Sequence, residues 1–147
     1  MKKPFAITIL SILTVSIFSC LIGLSAWAAE PEKKIVKLPP ADTDSGKPLM
    51  QVLKDRASSR DFSSEKLPMQ TMSDLLWAAW GINRPDTGKR TAPSARNRQE
   101  TDIYVATEDA LYLYDAEGHT LIAVMEEDIR AYTGKQDFVK TAPVNLI

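Results

Sequence analysis

The feature that most constrains this chain is an apolar helical segment followed at once by a long polar loop, together residues 75–99. The apolar side chains recur on one face at helical spacing, at Leu75, Leu76, Ala79 and Trp80. Gly81 follows where a helix commonly takes a left-handed C-cap. The loop beyond it is rich in Arg, Ser and Asn, whose side chains hydrogen-bond to anions and heterocycles. Two interpretations stay open, a solvated connector or a binding loop carried by a rigid helix.

Length and composition fit one globular domain. The chain has 147 residues, of which 44% are hydrophobic and 25% are charged. The net charge of −1 gives no electrostatic indication of a nucleic-acid partner. One cysteine excludes a disulfide within the chain.

The N-terminus has the pattern of a Sec-type signal peptide. Two lysines precede an uncharged apolar run over residues 4–29, which closes on a small-residue A-x-A motif ending at Ala28. We predict a signal peptide over residues 1–28, and therefore an exported, periplasmic or otherwise extracytoplasmic protein. Because the run is long enough to cross a bilayer, a retained membrane anchor is the alternative. A lipoprotein at Cys20 is disfavoured by bulky Phe18 and by the apolar residues that continue past the cysteine.

The rest of the chain divides into an extended leader, residues 29–47, and a domain, residues 48–147. The leader is rich in proline and has few apolar residues after Leu38. Helical spacing predicts helices from Pro48 onward and over 68–80 and 126–132, with a further helical turn at 136–140. Alternating apolar residues predict strands over 103–106, 110–114, 120–124 and 143–147, the middle two forming a hairpin.

Few residues offer catalytic chemistry of their own. The sequence has no metal-ligand cluster and no Gly-rich dinucleotide fingerprint. His119, the sole histidine, follows the hairpin turn, where an exposed side chain is poorly placed for catalysis. Trp77 and Trp80 are expected in the core rather than against a cofactor. We therefore assign no catalytic side chain and no metal.

Two polar clusters remain, at residues 56–60 and 93–99. The first carries two guanidiniums and two hydroxyls after a helix, donors suited to a phosphate. The second carries amide and hydroxyl groups that can bind the edge of a flat heterocycle. Neither cluster supplies an acid–base pair, so any chemistry is expected to come from a bound cofactor.

These clusters resemble the flavin-binding motifs of the nitroreductase family. Arg-Ala-Ser-Ser-Arg-Asp-Phe at residues 56–62 is similar to the family's R-R-S-x-R-x-F segment, and residues 93–99 resemble its P-S-x-x-N-x-Q loop. Leu-Leu-Trp-Ala-Ala-Trp-Gly at residues 75–81 resembles the family's second helix. The sequence from Trp77 to Pro85 most resembles that of the thiazoline and oxazoline oxidase branch of the family.

The resemblance implies an α+β fold, with helices packed on an antiparallel sheet, in a homodimer that binds FMN at its interface. It implies hydride transfer from NAD(P)H through the flavin to a nitroaromatic, a quinone, an enone or an azoline. Outside the cytoplasm, where free NAD(P)H is not expected, another reductant would be needed.

The same resemblance implies the cofactor-binding residues. Arg56 and Ser58 would contact the FMN phosphate. Arg60 and Asn97 would approach the pyrimidine edge, where positive charge stabilises reduced flavin. The remaining loop positions implied by the resemblance are Pro93, Ser94 and Ala95.

Two departures from the family pattern affect this expectation. Ala57 replaces a frequent second Arg, and Glu100-Thr101 stand where many members have Pro-Trp. We also expect the domain to be incomplete at its C-terminus and to hold FMN weakly as it stands. The alternative function is a non-catalytic secreted or truncated domain with the same fold.

Overall fold

The computed structural model describes residues 33–147. The predicted signal peptide, residues 1–28, lies outside the described residues. Within residues 33–147, no helix combines the length and hydropathy needed to cross a membrane.

The described chain is an α+β domain, as the sequence predicts. It contains two α-helices, α1 over Leu49–Asp55 and α2 over Met69–Trp80. Seven strands occur in this part of the chain: β1 Ile35–Lys37, β2 Ile82–Arg84, β3 Lys89–Arg90, β4 Tyr104–Thr107, β5 Leu111–Asp115, β6 Thr120–Met125 and β7 Val144–Leu146. Short 3₁₀ turns span Pro85–Thr87, Ala95–Asn97, Arg130–Tyr132 and Asp137–Lys140.

Five of the strands form one antiparallel sheet in the order β1-β6-β5-β4-β7. The β5–β6 hairpin sets its register, pairing Tyr112 with Ala123 and Tyr114 with Leu121. Its turn is held by the Asp115 carboxylate, which accepts the backbone N–H of Gly118 at 3.0 Å. Strands β2 and β3 form a separate two-stranded ribbon.

Helix α2 packs against one face of this sheet. Met72, Leu76 and Trp80 recur every fourth residue, so they share one face of the helix and are all buried. Across from them, Val105 of β4 and Tyr112 of β5 belong to the same cluster. Each large side chain buried in this way contributes about 1.5–3 kcal/mol to folding. The predicted helix over 68–80 is thus confirmed, with Pro68 immediately before it.

Helix α1 follows its predicted spacing but buries none of its residues. Its apolar side chains are all exposed, from 46% to 75%: Leu49, Met50, Val52 and Leu53. The described part of one chain therefore leaves a continuous apolar helix surface in contact with solvent.

The predicted leader contributes to the sheet. Strand β1 pairs with β6, joining Val36 to Leu121. Leu38, just after β1, lies in the core cluster at 4% exposure. The domain boundary at residue 48 stays a prediction, although residues before it supply one edge of the sheet.

Two local predictions are wrong. Gly81 is not left-handed: its φ is −68° and its ψ is 162°, because the chain runs directly from α2 into β2. Residues 126–132 do not form an α-helix, and only Arg130–Tyr132 form a 3₁₀ turn. The Asp128 carboxylate accepts the Arg130 backbone N–H at 3.0 Å and its Nε–H at 2.9 Å, which favours a turn over a continuous helix.

Candidate functional site

Helix α2 and the ribbon β2–β3 carry the polar loop of residues 91–99. The Gly81 N–H donates to the Trp77 carbonyl at 2.8 Å, and the Thr91 N–H donates to the Gly81 carbonyl at 2.9 Å. The Thr91 hydroxyl also donates to the Trp77 carbonyl at 3.2 Å. The start of the loop is therefore fixed to the end of a buried helix.

The loop itself is held by its own polar groups. The Ser94 hydroxyl accepts the Gln99 N–H at 2.7 Å, and the Ser94 carbonyl accepts the Asn97 N–H at 3.1 Å. Arg96 and Asn97 both have φ of 54°, a left-handed conformation that costs energy for arginine and that asparagine tolerates better. Such conformations are found at ligand-binding segments more often than elsewhere.

Gln99 joins this loop to the ribbon. Its side-chain amide donates to the Gly88 carbonyl at 3.0 Å, and its Oε1 accepts the Arg90 Nε–H at 2.8 Å. Arg90 in turn lies over the Trp80 ring, with 5.7 Å between its guanidinium carbon and the ring centroid. One side chain thus connects the core helix, the ribbon and the loop.

Between the ribbon and the loop lies a cleft of about 500 Å³, which we call the basic cleft. Its walls carry four cationic side chains and no carboxylate: Arg84, Lys89, Arg90 and Arg96. Pro93, Ser94 and Asn97, three of the predicted cofactor-binding residues, line the same cleft. The Nη1 atom of Arg90 is buried and has no hydrogen-bond partner in the described part of the chain.

The other predicted cluster lies elsewhere on the surface. Arg56, Ser58 and Arg60 are exposed, and none of them lines the basic cleft. The Arg60 guanidinium carbon lies 5.8 Å from the centre of the Phe138 ring, which also contacts Phe62 at 6.1 Å between centroids. Within one chain, the basic cleft is thus lined by residues of the second predicted cluster and by none of residues 56–60. The roles of both clusters, including that of exposed Ala95, stay predictions.

His119 is not the exposed side chain that the sequence predicts. Its Nε2 lies 2.7 Å from the Ser73 hydroxyl and 3.0 Å from the Pro39 carbonyl, and its Nδ1 lies 2.9 Å from the Tyr114 hydroxyl. Because a carbonyl only accepts, all these groups are satisfied when Nε2 carries the proton and Tyr114 donates to Nδ1. The reason for the difference is the leader, whose Pro39 covers the end of the hairpin.

This network is structural. Ser73 is fully buried on α2, so its hydroxyl is not available to a substrate, and it donates to the Pro39 carbonyl at 2.6 Å. Burial raises the pKa of Tyr114 to about 12, although the nearby Arg90 charge acts in the opposite direction. Both hydroxyls are therefore neutral hydrogen-bonding groups at ordinary pH.

A second cavity, of about 240 Å³, lies on another part of the domain. Apolar side chains such as Met72, Tyr112 and Leu121 line it, together with charged Lys66 and Asp109. Those two form an ion pair at 2.9 Å. Asp109 raises the pKa of Lys66 through this hydrogen bond. None of the predicted cofactor-binding residues lines this cavity, and no metal-binding group of acidic, histidine or cysteine residues occurs among the described residues.

The model of the nitroreductase family matches residues 53–147. The chain belongs to the nitroreductase family. The match includes both predicted clusters, α2 and the basic cleft. Members of this family generally use a flavin cofactor and act on small molecules.

Two relatives support the assignment. A provisionally named nitroreductase from Methanocaldococcus jannaschii is 31% identical over 109 residues, which are 67% of this chain and 54% of that protein. The crystal structure of a provisionally named nitroreductase from Ralstonia eutropha is 45% identical, with a TM-score of 0.70 over 81% of this chain and 57% of that one. This chain spans a little over half the length of each relative.

The sequence carries a signal for the basic cleft that lies mostly outside the family motif. Residues 84–98 hold five basic residues against one acid, Asp86, although the chain as a whole is nearly neutral. Arg90 precedes the loop motif of residues 93–99, so the motif alone does not identify it. Gln99 lay within the motif, but its bracing contact with Arg90 depends on the ribbon and could not be read from spacing.

Proposed function

We propose that this chain is an FMN-dependent oxidoreductase of the nitroreductase family. The observation that carries the proposal is the order of the two clusters within the family match, with Pro93, Ser94 and Asn97 lining a preformed cleft. FMN, when bound, supplies the hydride chemistry that the described side chains lack. The side chains supply binding and orientation.

The side chains of the two clusters carry the kinds of hydrogen-bonding group that FMN requires. Arg56 and Ser58 are exposed, and their side chains hydrogen-bond to no other described residue, so both are available to a phosphate. Asn97 offers an amide, and Arg60 a guanidinium, for the polar edge of the isoalloxazine ring. Positive charge at that edge favours the anionic reduced form of the flavin.

A homodimer explains how both clusters would serve one flavin. Because residues 56–60 do not line the basic cleft within one chain, we propose that one copy supplies residues 56–60 and its partner supplies the loop of residues 93–99. The exposed apolar surface of α1, with Leu49 71% and Met50 75% exposed, supports such an interface because it is a large apolar area in contact with solvent.

We further propose a planar electron-accepting substrate, a nitroaromatic, a quinone, an enone or an azoline. An azoline is favoured because the sequence of residues 77–85 resembles that of the thiazoline and oxazoline oxidase branch. NAD(P)H is the proposed electron donor where it is available. The apolar N-terminal run supports export, in which case another reductant would replace it.

Flavin retention tests this function. The full chain is incubated with excess FMN and examined by visible absorbance and gel filtration, before and after desalting. Because the chain is expected to hold FMN weakly, we expect a dimer that is yellow in excess FMN, loses part of its flavin on desalting, bleaches on addition of a reductant and recovers with a quinone. A folded protein whose spectrum and elution do not change in excess FMN would contradict the proposal and would favour the non-catalytic alternative.

A further inference from the structure

The second cavity has a buried apolar floor. Met72 of α2, Tyr112 of β5 and Leu121 of β6 line it and are all buried, and half-buried Val36 and Val144 line it from β1 and β7. Atoms that face a void lose their dispersion contacts, so a bound molecule would restore them. The volume of about 240 Å³ exceeds the roughly 150 Å³ of a cavity that admits benzene, so the cavity can hold one substituted aromatic ring.

The Tyr112 hydroxyl is a polar group that this floor leaves without a partner. No hydrogen bond from residues 33–147 reaches it, whereas the Tyr114 hydroxyl lies 2.9 Å from His119 Nδ1. It still has accessible surface, because Arg90 Nη1 is the only side-chain polar atom of the described residues that is both closed off from solvent and unpartnered. Tyr112 is only 7% exposed and lines the cavity. Since a buried tyrosine hydroxyl normally finds a partner, the cavity is where that partner would lie.

The charged side chains around the cavity are balanced. Three cations and three carboxylates line it: Lys34, Lys66, Arg130, Glu65, Glu108 and Asp109. The Lys66 ammonium lies 2.9 Å from the Asp109 carboxylate, and the Arg130 guanidinium lies 2.8 Å from that of Asp128. The Lys66 and Asp109 side chains are both mostly exposed, so their ion pair lies at the mouth of the cavity. Because no charge on the walls is left in excess, the cavity favours a neutral ligand.

The Tyr112 hydroxyl lies within electrostatic range of this mouth. Asp109 is the largest cause of the raised pKa of Lys66, and the Tyr112 phenol adds a smaller contribution in the same direction. The ammonium is a donor only, and the phenol has a proton to donate, so an acceptor oxygen suits both groups. The Met72 thioether and the Tyr112 ring favour an aromatic body on the floor.

We propose that the second cavity binds a small neutral molecule made of an aromatic ring and a carbonyl group, whose oxygen accepts the hydrogen bond of the Tyr112 hydroxyl. The ring lies on the apolar floor, and the carbonyl group points toward the mouth. The site is separate from the proposed flavin contacts, because no predicted cofactor-binding residue and no residue of the basic cleft lines it. It therefore does not require that flavin binding be correct.

Acetophenone is the probe that tests this site. Its matched control is isopropenylbenzene, in which a methylene group replaces the carbonyl oxygen. Each compound is titrated into the isotope-labelled full chain, and binding is followed by amide chemical shifts. We expect saturable acetophenone binding with a Kd of about 0.1–1 mM and the largest shift changes around Met72, Tyr112 and Leu121. Absence of saturable binding to the folded chain, or shift changes confined to the basic cleft, would overturn the proposal.

Tyr112→Phe removes the hydroxyl and keeps the ring. It should weaken acetophenone binding about five-fold, the effect of about 1 kcal/mol for one neutral hydrogen bond, without weakening isopropenylbenzene binding. Tyr104→Phe is the control, because Val105 pairs with Tyr112 and its neighbour Tyr104 therefore lies on the opposite face of the sheet. It should change either Kd less than two-fold. An unchanged acetophenone Kd in Tyr112→Phe, or equal losses for the two compounds, would overturn the role of the hydroxyl and with it the proposal.

Val144→Phe tests the location by filling the cavity from the β7 side. It should abolish binding of both compounds, and a folded variant that binds them as the parent does would place the site elsewhere and overturn the proposal. Circular dichroism checks that each variant folds. If Val144→Phe does not fold, Tyr112→Phe still decides the question, because it leaves the size of the ring unchanged.

Two further titrations test the class of ligand and the independence of the site. Benzoate, which is anionic and similar in size, should bind at least about five-fold more weakly than acetophenone because its charge must be desolvated; equal or tighter binding would overturn the neutral class. Excess FMN should leave the acetophenone Kd unchanged, and competition would assign the cavity to the flavin and overturn the proposal. A chain that binds acetophenone as expected but takes up no FMN would leave this site standing and remove the proposed function alone.

Discussion

Replacing Gly81 by alanine tests how α2 delivers the polar loop. An added Cβ would lie 2.5 Å from Cδ1 and 2.7 Å from Cγ of the Trp77 ring, and 2.6 Å from the Trp77 carbonyl oxygen. That oxygen accepts both the Gly81 N–H at 2.8 Å and the Thr91 hydroxyl at 3.2 Å. The methyl group therefore cannot be accommodated without moving an atom that fixes the loop.

The magnitude follows from three contributions. Overpacking costs about 1–3 kcal/mol, and weakening the hydrogen bonds of the Trp77 carbonyl costs about 1 kcal/mol more. The smaller entropy of the unfolded alanine chain offsets about 0.4–1 kcal/mol. We expect a net loss of about 2–3 kcal/mol in the free energy of unfolding, because a φ of −68° adds no backbone penalty.

Urea unfolding followed by tryptophan fluorescence measures this loss as a lower midpoint at unchanged slope. Gly88→Ala is the matched control: its φ is +61° and no atom lies within 4 Å of the added Cβ, so it should cost only about 1 kcal/mol. Gly81→Asn separates two explanations, since a left-handed cap tolerates asparagine but this close approach does not. Stability of Gly81→Ala within 0.5 kcal/mol of the parent would refute the reasoning.

Three other outcomes are expected. Leu76→Ala, at a fully buried position, should lower the free energy of unfolding by about 3–5 kcal/mol in the same assay; a loss below 1 kcal/mol would contradict the packing of α2. Because the pKa of Tyr114 is raised to about 12, its neutral form favours folding, and this contribution is lost as pH rises from about 10 to 12. Tyr114→Phe should therefore lose about 1–2 kcal/mol less than the parent across that window, after allowance for solvent screening; equal losses would contradict the shift. N-terminal sequencing of exported protein should begin at Ala29, whereas a start at Met1 would indicate a retained anchor.

The main elements could be predicted because their signals are local. The four-residue recurrence of Met72, Leu76 and Trp80 specifies one helix face, and the alternation through Tyr112 and Tyr114 specifies one sheet face. A turn rich in polar residues between two such runs predicts a hairpin. These patterns depend on neighbouring residues only, so the sequence displays them directly.

The errors arose where distant residues decide the outcome. His119 is covered by Pro39, which is 80 positions away in the chain, and no local pattern reports that contact. Glycine is needed at residue 81 because the backbone lies close to Trp77, not because φ is left-handed. A sequence alone does not distinguish these two reasons for a glycine. At Asp128, contacts with Arg130 replaced the predicted helix by a turn.

Only part of the candidate site could be predicted from the sequence, for a similar reason. The loop motif gave Pro93, Ser94 and Asn97, which line one cleft. The cationic side of that cleft depends on how the β2–β3 ribbon folds back over the loop, bringing Lys89 and Arg90 opposite Arg96. Spacing along the chain did not contain that arrangement.

The central claim is that Arg56 and Ser58 hold the phosphate of FMN. Its most direct test is the ratio of riboflavin and FMN dissociation constants, measured by quenching of flavin fluorescence, in the parent chain and in Arg56→Ala. We expect the parent to prefer FMN by about 10–100-fold, corresponding to about 1.5–3 kcal/mol for a charge-assisted hydrogen bond. The preference should fall close to 1 in Arg56→Ala and stay unchanged in Arg98→Ala. A preference that survives Arg56→Ala, or that Arg98→Ala abolishes equally, would contradict the account.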